Sequence, residues 1–350
     1  MQDKKRDLDG DPSLSIIVPA HNAANDIAAC LSAIRASSIP AAYELIVVDD
    51  ASTDETRAIA AKYANRVIAG ESRARGPAFA RNAGAAISRG AITVFVDADV
   101  VVHRDAISRL VDTFAATGAD AVFGSYDDKP SATGVVSQYR NLLHHFVHQK
   151  AAGDVKSFWA GCGAVKKSAF DAVGGFDAER FHHAEMEDVE LGYRLVDNGY
   201  TIMLDPSIQG THRKKITLAG MIRSDFVRRG IPWARVLLDR GEFLEPRGLS
   251  LGISERVSAL SSALFAAALL AAVALQSVPL ASVSAVALAV FIVANAGLFK
   301  RLLKLRGFLF AGAAVPLHVI YSITAVSALL WALVTYRLTP SGRAHYRRRQ

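Results

Sequence analysis

The chain has 350 residues, 51% of them hydrophobic, and a formal net charge of +7. Its Lys and Arg residues gather beside two long uncharged segments near the C-terminus. This pattern excludes nucleic acid as the expected partner and favours anionic membrane lipids. Two cysteines, Cys30 and Cys162, are too few for a disulfide framework and are typical of a reducing compartment.

The N-terminal segment, residues 1–12, is polar and charged, and we expect it to be flexible. The apolar stretch Leu14–Ala20 is too short for a secretory signal and is followed by polar residues. We therefore expect the first domain, residues 13–215, to remain in the cytoplasm.

Short segments rich in Ile and Val alternate with helical patterns through this domain. The predicted strands are Leu14–Pro19, Tyr43–Asp49, Val67–Ala69 and Ala91–Val96. The predicted helices are Asn25–Arg35, Asp54–Tyr63 and Pro77–Ser88. Because the strands are almost continuously apolar, as buried parallel strands are, the pattern predicts an α/β, doubly wound, mostly parallel sheet. Ligands of such sheets bind beyond the carboxyl ends of the strands.

Polar side chains follow three of these strands at that edge. They are His21 and Asn22, Asp49 and Asp50, and Asp97 and Asp99. One such pair would be weak evidence, because Asp and Asn are common in turns. Three pairs in register predict a ligand site.

Four segments carry a resemblance to a known family. They are SIIVPAHNAANDI at Ser15–Ile27, ELIVVDDASTDET at Glu44–Thr56, GPAFARNAGAAISRGAITVFVDADV at Gly76–Val100, and EDVELGYRL at Glu187–Leu195. In order and spacing they resemble the family 2 glycosyltransferases, and the resemblance covers roughly residues 14–212. It implies a GT-A type, Rossmann-like fold, a nucleotide-sugar donor, a divalent metal and transfer with inversion.

The DAD segment Asp97, Ala98 and Asp99 matches the motif that holds the metal and the ribose in the family. The resemblance therefore assigns Asp99 to the metal and Asp97 to the ribose or the metal. Mg²⁺ or Mn²⁺ is expected, because these cations prefer carboxylate and phosphate oxygens. His212 follows an apolar strand, where it is either a further metal or diphosphate ligand or a surface histidine.

Asp50 matches the family residue that reads the nucleotide base. Other residues match the walls of the donor pocket: Pro19, Ala20, His21, Asn22 and Val48. The sequence departs from the usual pattern, with His21 in place of Tyr and Ala23 where Glu is frequent, so a UDP-sugar and a GDP-sugar both remain open. Asp49 is either part of this site or a cap for the turn before Ser52.

Gly76 and Arg81 lie where a helix begins, and a helix start can approach phosphates. Arg81 could contact the diphosphate or form a buried pair with an aspartate.

Asp188 matches the family's general base, which takes the proton of the acceptor hydroxyl. Glu187 is expected to orient its neighbours.

Trp159, Gly161 and Gly163 resemble the family's glycine-rich acceptor loop, in which Cys162 is expected to be a packed residue. Further acceptor contacts are expected in the loop Tyr126–Asp154. In RRGIPW, Arg229 and Trp233 resemble the QxxRW signature of processive synthases imperfectly, since the Gln is missing. They are the remaining acceptor-side candidates.

No Asp, Glu, Lys or Arg occurs between Arg256 and Lys300 or between Arg306 and Arg337. Residues 256–336 are therefore predicted to hold about three transmembrane helices, near 257–275, 280–299 and 311–335. Residues 216–255 are predicted to form amphipathic helices at the membrane interface, and 337–350 a basic tail. These features predict a multi-pass protein of the inner (cytoplasmic) membrane.

We expect an inverting, metal-dependent transferase that moves a hexosyl-type sugar onto a lipid-linked or membrane-proximal glycan acceptor in cell-envelope polysaccharide synthesis. Two alternatives remain, a processive polysaccharide synthase and a non-catalytic nucleotide-sugar-binding scaffold. A synthase should have more membrane crossings and a convincing QxxRW, and a scaffold does not need both Asp99 and Asp188.

Overall fold

The computed structural model describes residues 12–241 and 252–338. The predicted N-terminal segment 1–12 and the basic tail 337–350 therefore lie almost entirely outside the described residues.

The chain divides into two compact units. The sheet unit comprises Met1–Ala132 and Val147–Lys214, and the helical unit comprises Thr133–Phe146 and Lys215–Gln350. The second division falls one residue from the domain boundary predicted at residue 215.

The sheet unit is built on nine strands. They are β1 (Leu14–Ala20), β2 (Tyr43–Asp49), β3 (Arg66–Ala69), β4 (Ile92–Val96), β5 (Val100–Val102), β6 (Ala121–Tyr126), β7 (Gly153–Val155), β8 (Cys162–Lys166) and β9 (Ile202–His212). Their order in the sheet is β3-β2-β1-β4-β8-β6-β9-β5, with β7 also paired to β9. The four predicted strands are β1 to β4, which confirms the α/β sheet.

The first half of the sheet is parallel, with β1 between β2 and β4 and β3 outside β2. All seven residues of β1 are buried, and its two faces pack against different helices. Ile16 belongs to a core cluster with Leu31, whereas Ile17 lies beneath Gly84, where an added Cβ would meet its Cγ2 at 2.6 Å. Each fully buried aliphatic side chain contributes about 1.5–3 kcal/mol to folding.

The second half of the sheet is mixed. β8 runs antiparallel between β4 and β6, and β9 is parallel to β6 but antiparallel to β5. The link between β4 and β5, Asp97–Asp99, is too short for a parallel crossover, which needs a dozen or more residues. β5 pairs instead, antiparallel, with the last residues of the long strand β9, Gly210–His212.

Six helices lie wholly in the sheet unit. They are α1 (Ile27–Ala36), α2 (Thr56–Ala60), α3 (Pro77–Ile87), α4 (Ala106–Thr117), α6 (Lys167–Ala172) and α7 (Glu187–Asp197). The three predicted helices are α1 to α3, although α1 and α2 each begin two residues later than predicted. At α1 the residue before the first turn is Asp26, whose carboxylate pairs with Arg213 instead of capping the helix.

The region Tyr126–Asp154, predicted as a loop, is mostly regular structure. It contains the 16-residue helix α5 (Val135–Lys150), which begins in the helical unit, and most of β7. The prediction was wrong because the Gly, Ser and Pro residues before Val135 resemble a longer turn, while α5 itself is rich in polar residues and histidines.

Six more helical segments lie in the described residues of the helical unit. They are α8 (Leu218–Arg223), a π-helix (Ser224–Gly230), α9 (Ile231–Arg240), α10 (Ile253–Leu275), α11 (Val278–Ala294) and α12 (Ala296–Leu338). α12 is interrupted at Gly307, whose φ of 80° is not helical. Part of the predicted interface region, residues 242–251, lies outside the described residues.

Two helices in the described residues are long and apolar enough to cross a membrane, Ile253–Leu275 and Ala296–Tyr336. The second predicted crossing, near 280–299, corresponds to α11, which has 17 residues and ends at Ala294 rather than near 299. It ends there because Asn295 departs from helical geometry, and its side chain bonds to Ser258 and lies against His318.

Buried polar side chains connect four elements of the helical unit. Tyr139 Oη lies 2.7 Å from His318 Nδ1, and His318 Nε2 lies 2.8 Å from Asn295 Oδ1. Asn295 Nδ2 donates to Ser258 Oγ at 2.7 Å and to the carbonyl of Phe291 at 2.8 Å. This polar chain fixes the rotation of α5, α10 and α12 about the end of α11.

Candidate active site

The DAD segment is the link between β4 and β5, and the register of β5 against β9 decides what faces it. Val100 is paired with His212, so His212 lies beside Asp99. Its Nε2 is 3.6 Å from Asp99 Oδ2, and the carbonyl of Asp99 accepts a hydrogen bond of 2.9 Å from the amide of Arg213. The structure thus brings together two of the three predicted metal-site residues.

The ring of His212 is held by aromatic packing. It stacks on Tyr126, with centroids 4.3 Å apart and planes 10° from parallel, and Tyr126 meets Trp159 edge-on at 4.8 Å. Sequence reasoning missed Tyr126. The same strand-end rule could have found it, since β6 runs parallel to β4 and ends at Tyr126 on the same edge of the sheet.

Asp99 is only partly exposed, and burial opposes its ionisation. The neighbouring His212, with a further contribution from the charge of Lys214, outweighs this effect and lowers the pKa of Asp99. An ionised carboxylate beside an imidazole is a donor set suited to a divalent cation.

Among the residues the structure describes, no group of three or more His, Cys, Asp or Glu side chains could hold a metal by itself. Asp97 is directed to Arg81, which leaves the pair Asp99 and His212 as protein ligands. Such a pair fits Mg²⁺ or Mn²⁺ bound chiefly through substrate, because Mg²⁺ is usually held by one or two carboxylates together with substrate phosphates.

Arg81, on α3, joins two acidic residues. Its Nη2 donates to Asp97 Oδ1 at 2.7 Å and its Nη1 donates to Glu187 Oε1 at 2.8 Å. The Arg81 side chain is 4% exposed, and its guanidinium lies over the ring of Phe176 at 5.3 Å. The two neighbouring carboxylates outweigh burial and raise its pKa. Two roles were expected for Arg81, a contact with the diphosphate or a buried pair with an aspartate, and the structure has the buried pair.

Glu187 and Asp188 open α7, where the helix dipole favours negative charge. Glu187 is buried, and its second oxygen accepts from the amide of Glu185 at 2.8 Å. Asp188 Oδ1 accepts from the amide of Val189 at 2.8 Å, and Oδ2 accepts from the amide of Ala160 at 3.3 Å.

The environment of Asp188 makes it a weak acid. Burial is the largest cause, and the adjacent Glu187 adds to it, while Arg81 and the two amide donors oppose them. The net effect raises the pKa of Asp188 to about 7. A carboxylate with a pKa near neutrality is well matched to accepting a proton during a reaction.

The glycine-rich segment connects the two acidic positions. The amide of Asp97 donates to the carbonyl of Gly161 at 3.2 Å, next to the Ala160 amide that holds Asp188. An added Cβ at Gly161 would lie 2.3 Å from the indole of Trp159, and one at Gly163 would lie 2.4 Å from the carbonyl of Trp159. These glycines therefore allow close packing of the segment itself, and their contact with an acceptor stays a prediction.

Asp50 organises the loop before α3. Its carboxylate accepts from the amides of Arg75, at 3.0 Å, and Gly76, at 2.7 Å. His21 Nδ1 lies 2.6 Å from the carbonyl of Asp50. Base reading by Asp50 stays a prediction, and the structure gives this carboxylate a role in folding the loop.

The other donor-pocket candidates divide by exposure. Pro19, Ala20 and Val48 are buried in the strands, whereas His21 and Asn22 are exposed at the rim. Asn22 has a φ of 49°, and its Oδ1 accepts from the amide of Thr53 at 2.8 Å.

Of the two roles considered for Asp49, the structure shows the cap of the turn before Ser52. Its Oδ1 accepts from the amide of Ser52 at 3.2 Å, so it caps the turn that follows β2.

Gly76 is required by its backbone. Its φ is 95°, and an added Cβ would lie 2.2 Å from the carbonyl oxygen of His182. The loop before α3 therefore packs directly on the segment that leads to Glu187 and Asp188.

The remaining candidates are placed as follows. Cys162 is buried, and burial with the nearby Asp97 raises the pKa of its thiol to about 12, as expected for a packed residue rather than a nucleophile. Arg229 lies in the π-helix and Trp233 in α9, both in the helical unit. Their roles toward an acceptor stay predictions.

Comparison with known proteins identifies the family. The family described as glycosyl transferase family 2 matches residues 15–174. Glycosyltransferase AglE of Haloferax volcanii is 31% identical over 212 residues, which cover 57% of this chain and 67% of AglE. Succinoglycan biosynthesis protein ExoA of Rhizobium meliloti is 32% identical over 200 residues, covering 54% of this chain and 59% of ExoA.

A solved structure has the same fold. It is the mannosyltransferase PcManGT from Pyrobaculum calidifontis in complex with GDP-Man and Mn²⁺, with a TM-score of 0.61 and 21% identity over 92% of this chain and 88% of that one. The GT-A expectation for the fold is thereby confirmed. From the family match and its relatives, the chain belongs to glycosyl transferase family 2 and is a glycosyltransferase.

Proposed function

We propose that this enzyme transfers a sugar, with inversion and with a divalent metal cofactor, onto a lipid-linked or membrane-proximal glycan acceptor at the cytoplasmic face of a membrane. The observation that carries the proposal is the bridge made by Arg81. It joins Asp97, in the DAD segment, to Glu187, the neighbour of Asp188, so the donor-side and acceptor-side acids belong to one connected site.

The metal would be held by Asp99 and His212, with the donor diphosphate supplying further oxygens. When bound, a divalent cation neutralises the charge that builds on a departing diphosphate. The Asp99 carboxylate, whose pKa is lowered from an ordinary value already far below 7, is ionised at neutral pH and available to such a cation. The Mn²⁺ in the Pyrobaculum structure, which shares the fold, agrees with this assignment.

Asp188 is the general base of the proposed reaction. The acceptor hydroxyl oxygen attacks the anomeric carbon of the donor sugar from the face opposite the diphosphate. The new C–O bond forms as the bond to the diphosphate oxygen breaks, and that oxygen keeps the electron pair. The hydroxyl proton passes to the Asp188 carboxylate, whose pKa of about 7 suits this transfer.

The donor nucleotide would bind at the carboxyl ends of β1 and β2. His21 and Asn22 are exposed there, above the buried Ala20 and Val48. A flat imidazole on this rim can stack on a base. The GDP-Man of the Pyrobaculum complex makes a GDP-sugar one candidate, and UDP-sugars remain the other.

Membrane attachment is supported by where apolar side chains are exposed. In the described residues, every large hydrophobic side chain that is exposed belongs to the helical unit, for example Leu270 at 72%, Val293 at 74% and Leu309 at 86%. Such side chains need lipid or another apolar environment. With α10 and α12 as spans, the acceptor would be a lipid-linked or membrane-proximal glycan. Relatives named for succinoglycan biosynthesis suggest cell-envelope polysaccharides as the wider context.

The proposal is tested with the full-length protein purified in detergent. GDP-mannose and UDP-N-acetylglucosamine are offered as donors with Mn²⁺ or with a chelator, and release of the nucleoside diphosphate is followed. We expect metal-dependent release with one donor and almost none from Asp188→Asn, while Asp112→Asn, at an exposed position of α4, behaves as wild type. NMR of the released sugar, recorded before mutarotation equilibrates its anomers, should show an inverted anomeric centre; retention, or full activity in the chelator, contradicts the proposal.

A further inference from the structure

Arg81 is the most buried cation of the site, and both ends of its guanidinium fork are occupied. Asp97 takes one terminal nitrogen and Glu187 takes the other, at 2.7 Å and 2.8 Å. Both pairs are within the distance of a charge-assisted hydrogen bond. Arg81 Nε has no hydrogen-bond partner among the described residues, so the terminal nitrogens carry the hydrogen bonds of this side chain.

This geometry disfavours a direct contact between Arg81 and the donor diphosphate. To reach a phosphate, the guanidinium would have to leave Asp97 and Glu187. Glu187 is 3% exposed and would then be a buried carboxylate without a cation. Breaking a buried ion pair by removing one partner is strongly unfavourable.

The contacts of Arg81 are part of a closed ring of hydrogen bonds and chain connections around the site. Asp97 is tied through its amide to the carbonyl of Gly161, and the preceding residue, Ala160, donates its amide to Asp188. Asp188 follows Glu187 on the rigid first turn of α7, and Glu187 returns to Arg81. This ring of contacts therefore holds Asp188 from two directions, one through backbone amides and one through Arg81.

We propose that Arg81 is a positioning residue for sugar transfer, which holds Glu187 and thereby the neighbouring base Asp188 in register with the DAD segment. This inference rests on the proposed function, because it takes Asp188 as the base. A base has to lie within hydrogen-bond reach of the acceptor hydroxyl. A displacement of about 1 Å can cost about 100-fold in rate.

A double-mutant cycle separates this role from direct binding of phosphate. The variants are Arg81→Gln, Glu187→Gln and the double variant, compared in nucleoside diphosphate release from GDP-mannose and UDP-N-acetylglucosamine with Mn²⁺. Arg66→Gln is the matched control, since Arg66 is exposed at the amino end of the parallel strand β3, opposite the site, and its side chain donates to the backbone carbonyl of Ile87.

If Arg81 acts by positioning, Arg81→Gln lowers kcat by about 100-fold. The same substitution costs much less when Glu187 is already Gln, because the group through which it acts is gone. Arg81→Lys, which keeps the charge and can keep one contact, should restore part of kcat.

An equal fold-loss from Arg81→Gln in both backgrounds, seen mainly as a higher KM for the donor, would overturn the inference in favour of a phosphate contact. Thermal unfolding checks that each variant is folded. If Arg81→Gln is not, the same cycle is run with Arg81→Lys, whose loss must again shrink beside Glu187→Gln. Absence of release by the wild-type enzyme would instead count against the proposed function.

Discussion

The imidazole of His212 faces the carboxylate of Asp99, with Nε2 3.6 Å from Oδ2. Strand register creates this relationship, because β5 is hydrogen-bonded to β9 and aligns Val100 with His212. The stacked ring of Tyr126 then limits how the imidazole can turn. A cation site prepared in this way needs little reorganisation when the donor diphosphate binds.

Replacing His212 with Ala should weaken the response of the enzyme to metal. We expect the Mn²⁺ concentration for half-maximal activity to rise about tenfold or more, as is typical when a group that supports a metal site is lost. Tyr126→Ala, which removes the stacked ring but no ligand, should give a smaller rise of the same kind. An unchanged Mn²⁺ titration for His212→Ala would show that this histidine is not part of the cation site.

The pH dependence of kcat/KM should report Asp188 of the free enzyme. Its pKa is raised to about 7 by burial and by Glu187, and a general base acts in its ionised form. We therefore expect kcat/KM to rise about tenfold per pH unit below pH 7 and to level off above it. The residual activity of Asp188→Asn should lack this limb. A flat profile between pH 5 and 8 in the wild type would argue against Asp188 as the base.

The same raised pKa predicts an effect on stability. Between the ordinary pKa of Asp, about 3.9, and about 7, the folded protein holds a proton on Asp188 that the unfolded chain does not. The contribution of this group to the free energy of unfolding is therefore full at low pH and is lost as pH rises through 7. Asp188→Asn, which stays neutral, should gain in Tm relative to wild type between pH 5 and pH 8. A Tm difference that is the same at both pH values would contradict the raised pKa.

Gly76→Ala should destabilise the protein and impair donor use. The backbone has a φ of 95° and a ψ of 168°, and a new methyl group would lie 2.2 Å from the carbonyl oxygen of His182. Strain of this kind costs about 1–3 kcal/mol. Gly118→Ala is the matched control, because Gly118 has a φ of 68° but open space around its Cβ position. Equal losses of stability in the two variants would mean that the His182 contact is unimportant.

Asn295→Ala should loosen the helical unit. It removes the side-chain hydrogen bonds to Ser258 and Phe291, and it takes away the partner of His318 Nε2 on a buried side chain. The expected cost is about 1–3 kcal/mol, measured as a lower Tm of the detergent-solubilised protein. Ser282→Ala serves as control, since its hydroxyl is exposed and bonds only within α11. A Tm equal to that of the control would show that the polar chain does not stabilise the helices.

Much of the sheet could be predicted because the sequence of each strand and of the turn after it is sufficient to recognise that strand. Apolar runs such as Tyr43–Asp49 and the acids that follow them indicate buried parallel strands with a polar rim, whatever lies elsewhere in the chain. The second half of the sheet could not be derived in this way. Its order depends on the pairing of β5 and β6 with β9, which lies far along the chain from both.

The candidate site shows the same division. Asp97, Asp99 and Asp188 were named from motifs, and the structure gives each a specific partner. The links between them could not be predicted, because Arg81 is separated from Glu187 by 106 residues. Whether an arginine meets a phosphate or a carboxylate depends on what the fold places beside it, and one sequence carries no signal for that.

The central claim is that Asp99 supports a divalent cation and Asp188 takes the proton. Two measurements on the full-length protein test both parts: equilibrium binding of GDP-mannose and UDP-N-acetylglucosamine, with and without Mn²⁺, and turnover of the same donors. Both are made for the wild type, Asp99→Asn and Asp188→Asn. We predict that Asp99→Asn loses the Mn²⁺-dependent part of donor binding, while Asp188→Asn binds donor as wild type but does not turn it over. Metal-dependent binding that survives in Asp99→Asn, or turnover that survives in Asp188→Asn, would contradict the account.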